Sequence, residues 1–238
     1  MPSDLPTPER RLIGDPMRET GLRHVRTFNG RQGRRSELTD ERLASFGPRR
    51  QLPPGLLDPQ AAFGREAPVV LEIGCGHGAA AVAFAGAHPE RDLVALDVHV
   101  PGLARLMALA EEAGVGGNLR VDREDAVAFL VERVAPAQLD TIHLFFPDPW
   151  PKERHRRRRF LRPDTLDLIA DRLAPGGELL LATDQTFYAD HVREVVGHHG
   201  GLVVSPGSRP AWRPVAGFEA KALAAGRTVS ELRLTRAG

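Results

Sequence analysis

From Pro68 onward the chain alternates short apolar runs of strand length with longer segments whose apolar residues recur at helical spacing, and few architectures accept that pattern. The runs at 69–73, 93–98, 118–121, 141–146, 178–182, 202–205 and 228–235 read as strands. The segments at 77–87, 102–113, 126–134, 166–173 and 187–196 read as helices. Pro163 suits a helix start, Pro175 with Gly176 and Gly177 a helix stop, and residues 206–226 a turn-rich connection. Strands and helices that alternate in this way form a parallel sheet wrapped by helices, an α/β Rossmann-like domain. No internal repeat is present.

Ahead of this domain the character of the chain changes. Residues 1–35 hold many prolines, glycines and arginines without apolar periodicity and read as a flexible or loosely docked basic arm. Its segment 23–35 interleaves cations with Phe28, a composition suited to phosphate contacts. Thr39 is positioned to cap a short helix over 40–46, which Gly47 and Pro48 would end. Pro53, Pro54 and Pro59 mark a linker. The expected organisation is therefore an arm with a short helix over 1–50, a linker over 51–66 and the main domain over 67–238.

The net charge of +1 conceals a strong asymmetry. Residues 1–50 sum to +4 and residues 144–162 to +5, whereas residues 66–140 sum to −7. An acidic middle between basic segments fits a cationic or hydroxyl-rich small ligand at the centre and nucleic acid at the edges. No apolar run is long enough to span a membrane, and the single cysteine, Cys75, makes no internal disulfide, so a cytoplasmic protein is expected. The nine histidines lack metal-ligand spacing, and no metal is expected.

LEIGCGHG, at 71–78, follows a strand and opens a helix. Gly74, Gly76 and Gly78 permit a tight turn and close approach of a ligand to the backbone. Glu72 precedes the glycines, Asp97 ends the second strand, and Asp125 stands where the third strand meets its helix. Three carboxylates at one sheet edge serve a pyrophosphate poorly, but they suit the sulfonium, ammonium and ribose hydroxyls of S-adenosylmethionine. The set favours a methyltransferase over a nicotinamide oxidoreductase, although Asp125 taken alone serves equally well as a helix cap.

The fourth strand delivers the chain into FFPDPWPKERHRRRRF, at 145–160. Pro147, Pro149 and Pro151 predict a stiff, extended segment around Asp148 and Trp150, because a proline pushes the residue before it towards extended backbone. The cations that follow place a polyanion site beside that acid. An aromatic after a proline turn is more often a packing anchor, and Trp150 is read that way.

LEIGCGHG, LDVHVPG, NLR with the later DA, FFPDPWPKERHRRRR and ATDQTFYAD together resemble the bacterial tRNA (guanine-N7-)-methyltransferases over roughly residues 26–234, and TFNGRQGR also matches that family's arm. The resemblance implies a class I methyltransferase fold: a seven-stranded, mostly parallel sheet with helices on both faces and an antiparallel last strand. It implies methylation of the position-46 guanosine of the tRNA variable loop, with no membrane and no obligate protein partner. By motif match Glu72, Asp97 and Asp125 contact the methyl donor, and Asp148 is both donor-adjacent and catalytic. Lys152 and Asp184 match substrate-binding positions, and Arg154, His155, Arg156, Arg157, Arg158 and Arg159 match the segment that meets RNA. The family's Thr-Lys-Phe-Glu motif falls on Ala216, Gly217, Phe218 and Glu219, so only Glu219 is carried over as a guanine contact. The alternatives are an amino-methyltransferase, whose Asn/Asp-Pro-Pro-Tyr/Phe motif departs from Asp148-Pro149-Trp150, and a non-catalytic RNA-binding protein on the same fold.

Overall fold

The computed structural model describes residues 35–237, so the expectations for the arm before Arg35 lie outside the described residues. The strands are β1 (Val69–Ile73), β2 (Asp92–Leu96), β3 (Leu119–Asp122), β4 (Leu139–Phe145), β5 (Leu173–Thr183), β6 (Leu202–Pro206) and β7 (Ser230–Arg236). They form one seven-stranded sheet in the order β3-β2-β1-β4-β5-β7-β6. β1 to β5 pair in parallel, and β7 runs antiparallel to both β5 and β6. The fold class is the one expected.

The helices are α1 (Glu37–Arg50), α2 (Pro59–Phe63), α3 (Ala79–Ala87), α4 (Val100–Glu112), α5 (Ala126–Glu132), α6 (Pro163–Arg172), α7 (Thr186–Gly197) and α8 (Gly217–Ala224). Strand alternation divides the core. Leu71 and Ile73 of β1 pack with Phe129 of α5, Leu166 of α6 and Val192 of α7 on one face. Val70 packs with Leu43 of α1, Phe84 of α3 and Leu106 of α4 on the other. Every residue of β1 and β2 is buried, as strands covered on both faces require.

Four local expectations need correction. α1 begins after Ser36, whose Oγ accepts from the Thr39 amide at 3.3 Å, and it continues through Pro48 to Arg50. The proline is tolerated because Arg50 anchors the last turn. It donates to Glu111 at 3.0 Å and to the Val115 and Gly116 carbonyls at 2.6 Å each. The helix thus belongs to the folded body rather than to the arm.

The segment expected as a linker is likewise tied down. Leu52 and Leu57 are buried, Gln51 bridges to Val121, and Arg133 donates to the Pro53 and Gly55 carbonyls. Pro175, Gly176 and Gly177 do not separate α6 from the next strand; they form a bulge within β5. Leu139 and Thr141 of β4 pair with Leu173 and Glu178, so the residues between those two loop out. Gly177 is required there, since a Cβ would lie 2.9 Å from the Ala174 carbonyl oxygen and 3.0 Å from that of Asp140. Finally, the turn-rich 206–226 connection contains α8, which has no side-chain cap at Ala216 to announce it.

Arg50→Ala strips two buried carbonyls and Glu111 of their donor, and is expected to destabilise the fold by about 3 kcal/mol. The urea unfolding midpoint measures this.

Candidate active site

The order β3-β2-β1-β4 means that the chain crosses from one sheet edge back to the centre between β3 and β4. The carboxyl ends of β1 and β4 flank the resulting switch point, where open α/β sheets bind ligands. β1 delivers the glycine turn there, and β4 delivers the proline-rich lip.

In the turn, Gly74, Gly76 and Gly78 have φ of 74°, 56° and 83°. A Cβ on Gly74 or Gly76 would meet nothing within 4 Å, so the space above them is open to a ligand. A Cβ on Gly78 would lie 2.3 Å from Leu106 Cγ, so the packing of α3 against α4 by itself requires glycine there. Asp97 follows β2 and props the turn: Oδ2 accepts from the Gly76 amide at 2.7 Å and Oδ1 from the His99 amide at 2.8 Å. Glu72 lies beneath, 3% exposed. Its Oε2 is 3.5 Å from His143 Nδ1 on β4, and neither atom has a hydrogen-bond partner. Burial, then the charges of Asp97 and Glu72, push the Cys75 thiol well up, so it stays protonated and is no nucleophile.

Asp125 caps α5, with Oδ1 accepting from the Val127 and Ala128 amides at 3.0 and 3.2 Å. Beside it the Glu124 carboxyl is pushed up to about 7 by burial and by Asp122, against the opposing pull of Arg133.

The lip departs from the extended conformation expected of it. Phe146 and Trp150, each followed by proline, have φ of 54° and 43°. Left-handed backbone at bulky residues costs roughly 1–2 kcal/mol apiece, so other contacts must hold it. The Phe146 amide donates to the Ala182 carbonyl at 2.8 Å, and the Arg213 guanidinium lies 4.7 Å from the Phe145 ring centroid. Arg158 sits 3.9 Å over the Trp150 ring, and Arg159 donates to the Trp150 carbonyl at 3.4 Å. Asp148, between these two strained residues, is exposed.

The basic run forms a 3-10 helix over Glu153–Arg158, and three residues per turn sort its side chains into stripes. His155 and Arg158 face Trp150. Partial desolvation and the neighbouring Arg154, Arg158 and Lys152 hold His155 below the ordinary imidazole range, hence neutral at pH 7. Arg156 pairs with Glu194 of α7 at 3.0 Å. Arg159, 6% exposed, lies behind the lip over the Phe187 ring, which removes it from the set expected to meet RNA. Exposed Lys152, Arg154 and Arg157 remain to face a polyanion.

The far wall is formed by the segment before β7. Asp184 pairs with Arg227 at 2.8 Å. Glu219 is 3% exposed. Its Oε1 accepts from Arg209 at 2.5 Å and from Arg213 at 3.3 Å, and its Oε2 accepts from Arg213 at 3.2 Å. Burial would raise this carboxyl, but the two guanidiniums outweigh burial and hold it below the usual range. Both oxygens are therefore taken by arginine, and Glu219 anchors the wall rather than presenting itself to a base. Arg213 also pairs with Glu231. Trp212 stacks on His143 with centroids 5.2 Å apart, joining the wall to the residues under the glycine turn. Sequence reasoning missed Arg209, Trp212 and Arg213, because nothing in a loop without periodicity marks them.

The family model described as "Putative methyltransferase" matches residues 66–232. In fold the chain is similar to the 16S rRNA methyltransferase KamB, with a TM-score of 0.57 at 17% identity over 80% of this chain and 100% of that one. It is also similar to an S-adenosylmethionine-dependent O-methyltransferase from Thermotoga maritima, with a TM-score of 0.50 at 15% identity over 85% of this chain and 72% of that one. Fold and glycine turn together define a class I S-adenosylmethionine-dependent methyltransferase.

Over its whole length the chain is 38% identical to the tRNA (guanine-N(7)-)-methyltransferase of Paraburkholderia xenovorans, covering 96% of that protein. It is 41% identical to the one of Aromatoleum aromaticum, over 98% of this chain and 92% of that protein. It is 45% identical to the one of Mycobacterium avium, over 77% and 71%. The chain belongs to the tRNA (guanine-N(7)-)-methyltransferase family. No described helix is long and apolar enough to cross a membrane.

Because Glu124 binds its proton more tightly in the folded state, its contribution to stability is fully present below about pH 4.5 and is lost as pH rises through about 7. Glu124→Gln is expected to flatten that decline, which thermal melts at pH 5 and pH 8 measure.

Proposed function

We propose that the chain transfers a methyl group from S-adenosylmethionine to N7 of guanosine in tRNA, at position 46 of the variable loop, in the cytoplasm. The observation that carries this reading is the pairing, at one switch point, of an open glycine turn with a strained lip that holds an exposed carboxylate. When bound, the donor supplies an electrophilic methyl on a sulfonium. The residues fit it: Gly74 and Gly76 leave the space a ligand would fill, Asp97 borders that space, and the Glu72 Oε2 beneath it lacks a hydrogen-bond partner. Asp125 can orient it with the carboxylate edge not spent on the α5 cap.

Guanine N7 carries an in-plane lone pair, so no residue need remove a proton before attack. The chain has instead to align two bound reactants, which supplies roughly 7–11 kcal/mol of the barrier in favourable cases. It has also to meet the positive charge that grows on the purine. Asp148 is suited to both tasks, because its carboxylate is fixed to stiff backbone and can accept from the guanine N1 and N2 edge. Lys152 holds substrate phosphate, and Asp184, already paired with Arg227, lines the acceptor side. Glu219 acts through the wall it anchors.

Asp148→Ala is expected to leave donor and tRNA dissociation constants within about threefold of wild type while lowering kcat about 100-fold. Turnover near the wild-type rate in labelled-methyl transfer to total tRNA, followed by cleavage at N7-methylguanosine, would remove Asp148 from this role. Arg159→Met, which releases the Trp150 carbonyl, is expected to lower kcat with little change in donor affinity, and Arg159→Lys to recover part of the loss. Equal, full loss in both variants would mark Arg159 as merely structural.

A further inference from the structure

Behind the lip, away from the glycine turn, a concavity of about 620 Å³ opens between the 3-10 helix, the start of α6 and the outer turns of α7. Arg154, Arg156, Arg157, Arg162, His191 and Val195 line it, and so does Glu153, which is paired with Arg156. Arg156 is engaged by Glu153 at 3.7 Å and Glu194 at 3.0 Å, and Arg162 by Asp164 at 2.7 Å. Arg154 and Arg157, stacked one 3-10 turn apart, have no carboxylate partner among the described residues.

A second observation marks the same place. Among the described residues seven buried side-chain polar atoms lack a hydrogen-bond partner, and one of them, Arg162 Nη2, is a donor on a residue that lines the concavity and is itself 8% exposed. His191 Nε2 lies 2.9 Å from the Leu161 carbonyl oxygen and so carries the ring proton towards it, which leaves Nδ1 an acceptor and makes His191 wall rather than anion ligand. Arg162 reaches the Arg159 carbonyl at 3.5 Å, and the Tyr188 and His191 rings are 6.0 Å apart. Folded chains leave few such atoms unmatched, and a buried guanidinium N–H without an acceptor under a basic mouth is suited to an anion.

We propose that this concavity is a phosphate-binding pocket that takes one backbone phosphate of the tRNA, with Arg154 and Arg157 at its rim and Arg162 at its floor. It rests on the activity proposed above for the source of the phosphate, but not for the chemistry of the pocket. Seating one phosphate there would fix the register of the RNA relative to Asp148, which exposed arginines on a flat surface would not do.

The test uses the full chain. Val195→Glu sets a carboxylate in the pocket without removing any arginine, and Arg157→Gln removes a rim cation that holds nothing else. Both are expected to weaken tRNA binding about tenfold and lower the slope of log K against log salt by about one, with donor affinity unchanged. Pyrophosphate is expected to displace tRNA from the wild type and to bind neither variant. If pyrophosphate binds the wild type alone while both variants bind tRNA as the wild type does, the pocket serves free phosphate and the tRNA assignment is overturned. If neither ligand responds to Val195→Glu, the pocket itself is overturned. Loss of tRNA binding in the variants of a wild type that makes no N7-methylguanosine would support the pocket and sink the activity.

Discussion

The parallel pairing of β1 with β4 is the constraint from which the site follows. Crossovers between parallel strands take one hand, so a chain that has wound outward from β1 to β3 must cross back over the sheet to lay β4 on the other side of β1. Two loops that are far apart in sequence then leave the same edge side by side. One is stripped to glycine where space is needed, and the other is stiffened by proline and by left-handed backbone at Phe146 and Trp150. Neither loop is a site alone, and their juxtaposition is a property of strand order.

Charge burial does the second part of the organising. The Arg209, Arg213, Glu219 and Glu231 cluster lies at the junction of the far wall with the end of β4, where Arg213 also covers Phe145. Buried ion pairs contribute little net stability, because desolvation cancels most of the attraction, but they accept one geometry only. The same holds beneath the glycine turn, where Glu72 and His143 share an apolar surround with Phe84 and Trp212. In both places the polar groups set position more than they hold the fold together.

Strands were legible in the sequence because β1, β2 and most of β4 are buried and largely apolar, and Glu72 within β1 and Asp97 after β2 stood out against those runs. The lip and the cations after it were legible as neighbours, through prolines and charge. What stayed hidden depended on partners remote in the chain. Pro48 reads as a stop until Arg50 finds Glu111, the Pro175 to Gly177 run until β4 pairs on both sides of it, and Glu219 reads as available until Arg209 and Arg213 close on it. Gly78 looks like its two neighbours, and only Leu106 distinguishes it. The arginines were the least legible of all, since identical residues in a row carry no signal of which way each faces.

That row is better regarded as a phase than as a quantity of charge. On a helix of three residues per turn, one inserted or deleted residue rotates everything beyond it by about 120°. The guanidinium stacked on Trp150 would exchange places with one bound for Glu194, and the one buried under the lip would swing outward. Chains of this family should therefore tolerate lysine at the exposed positions of the run far better than any change in its length.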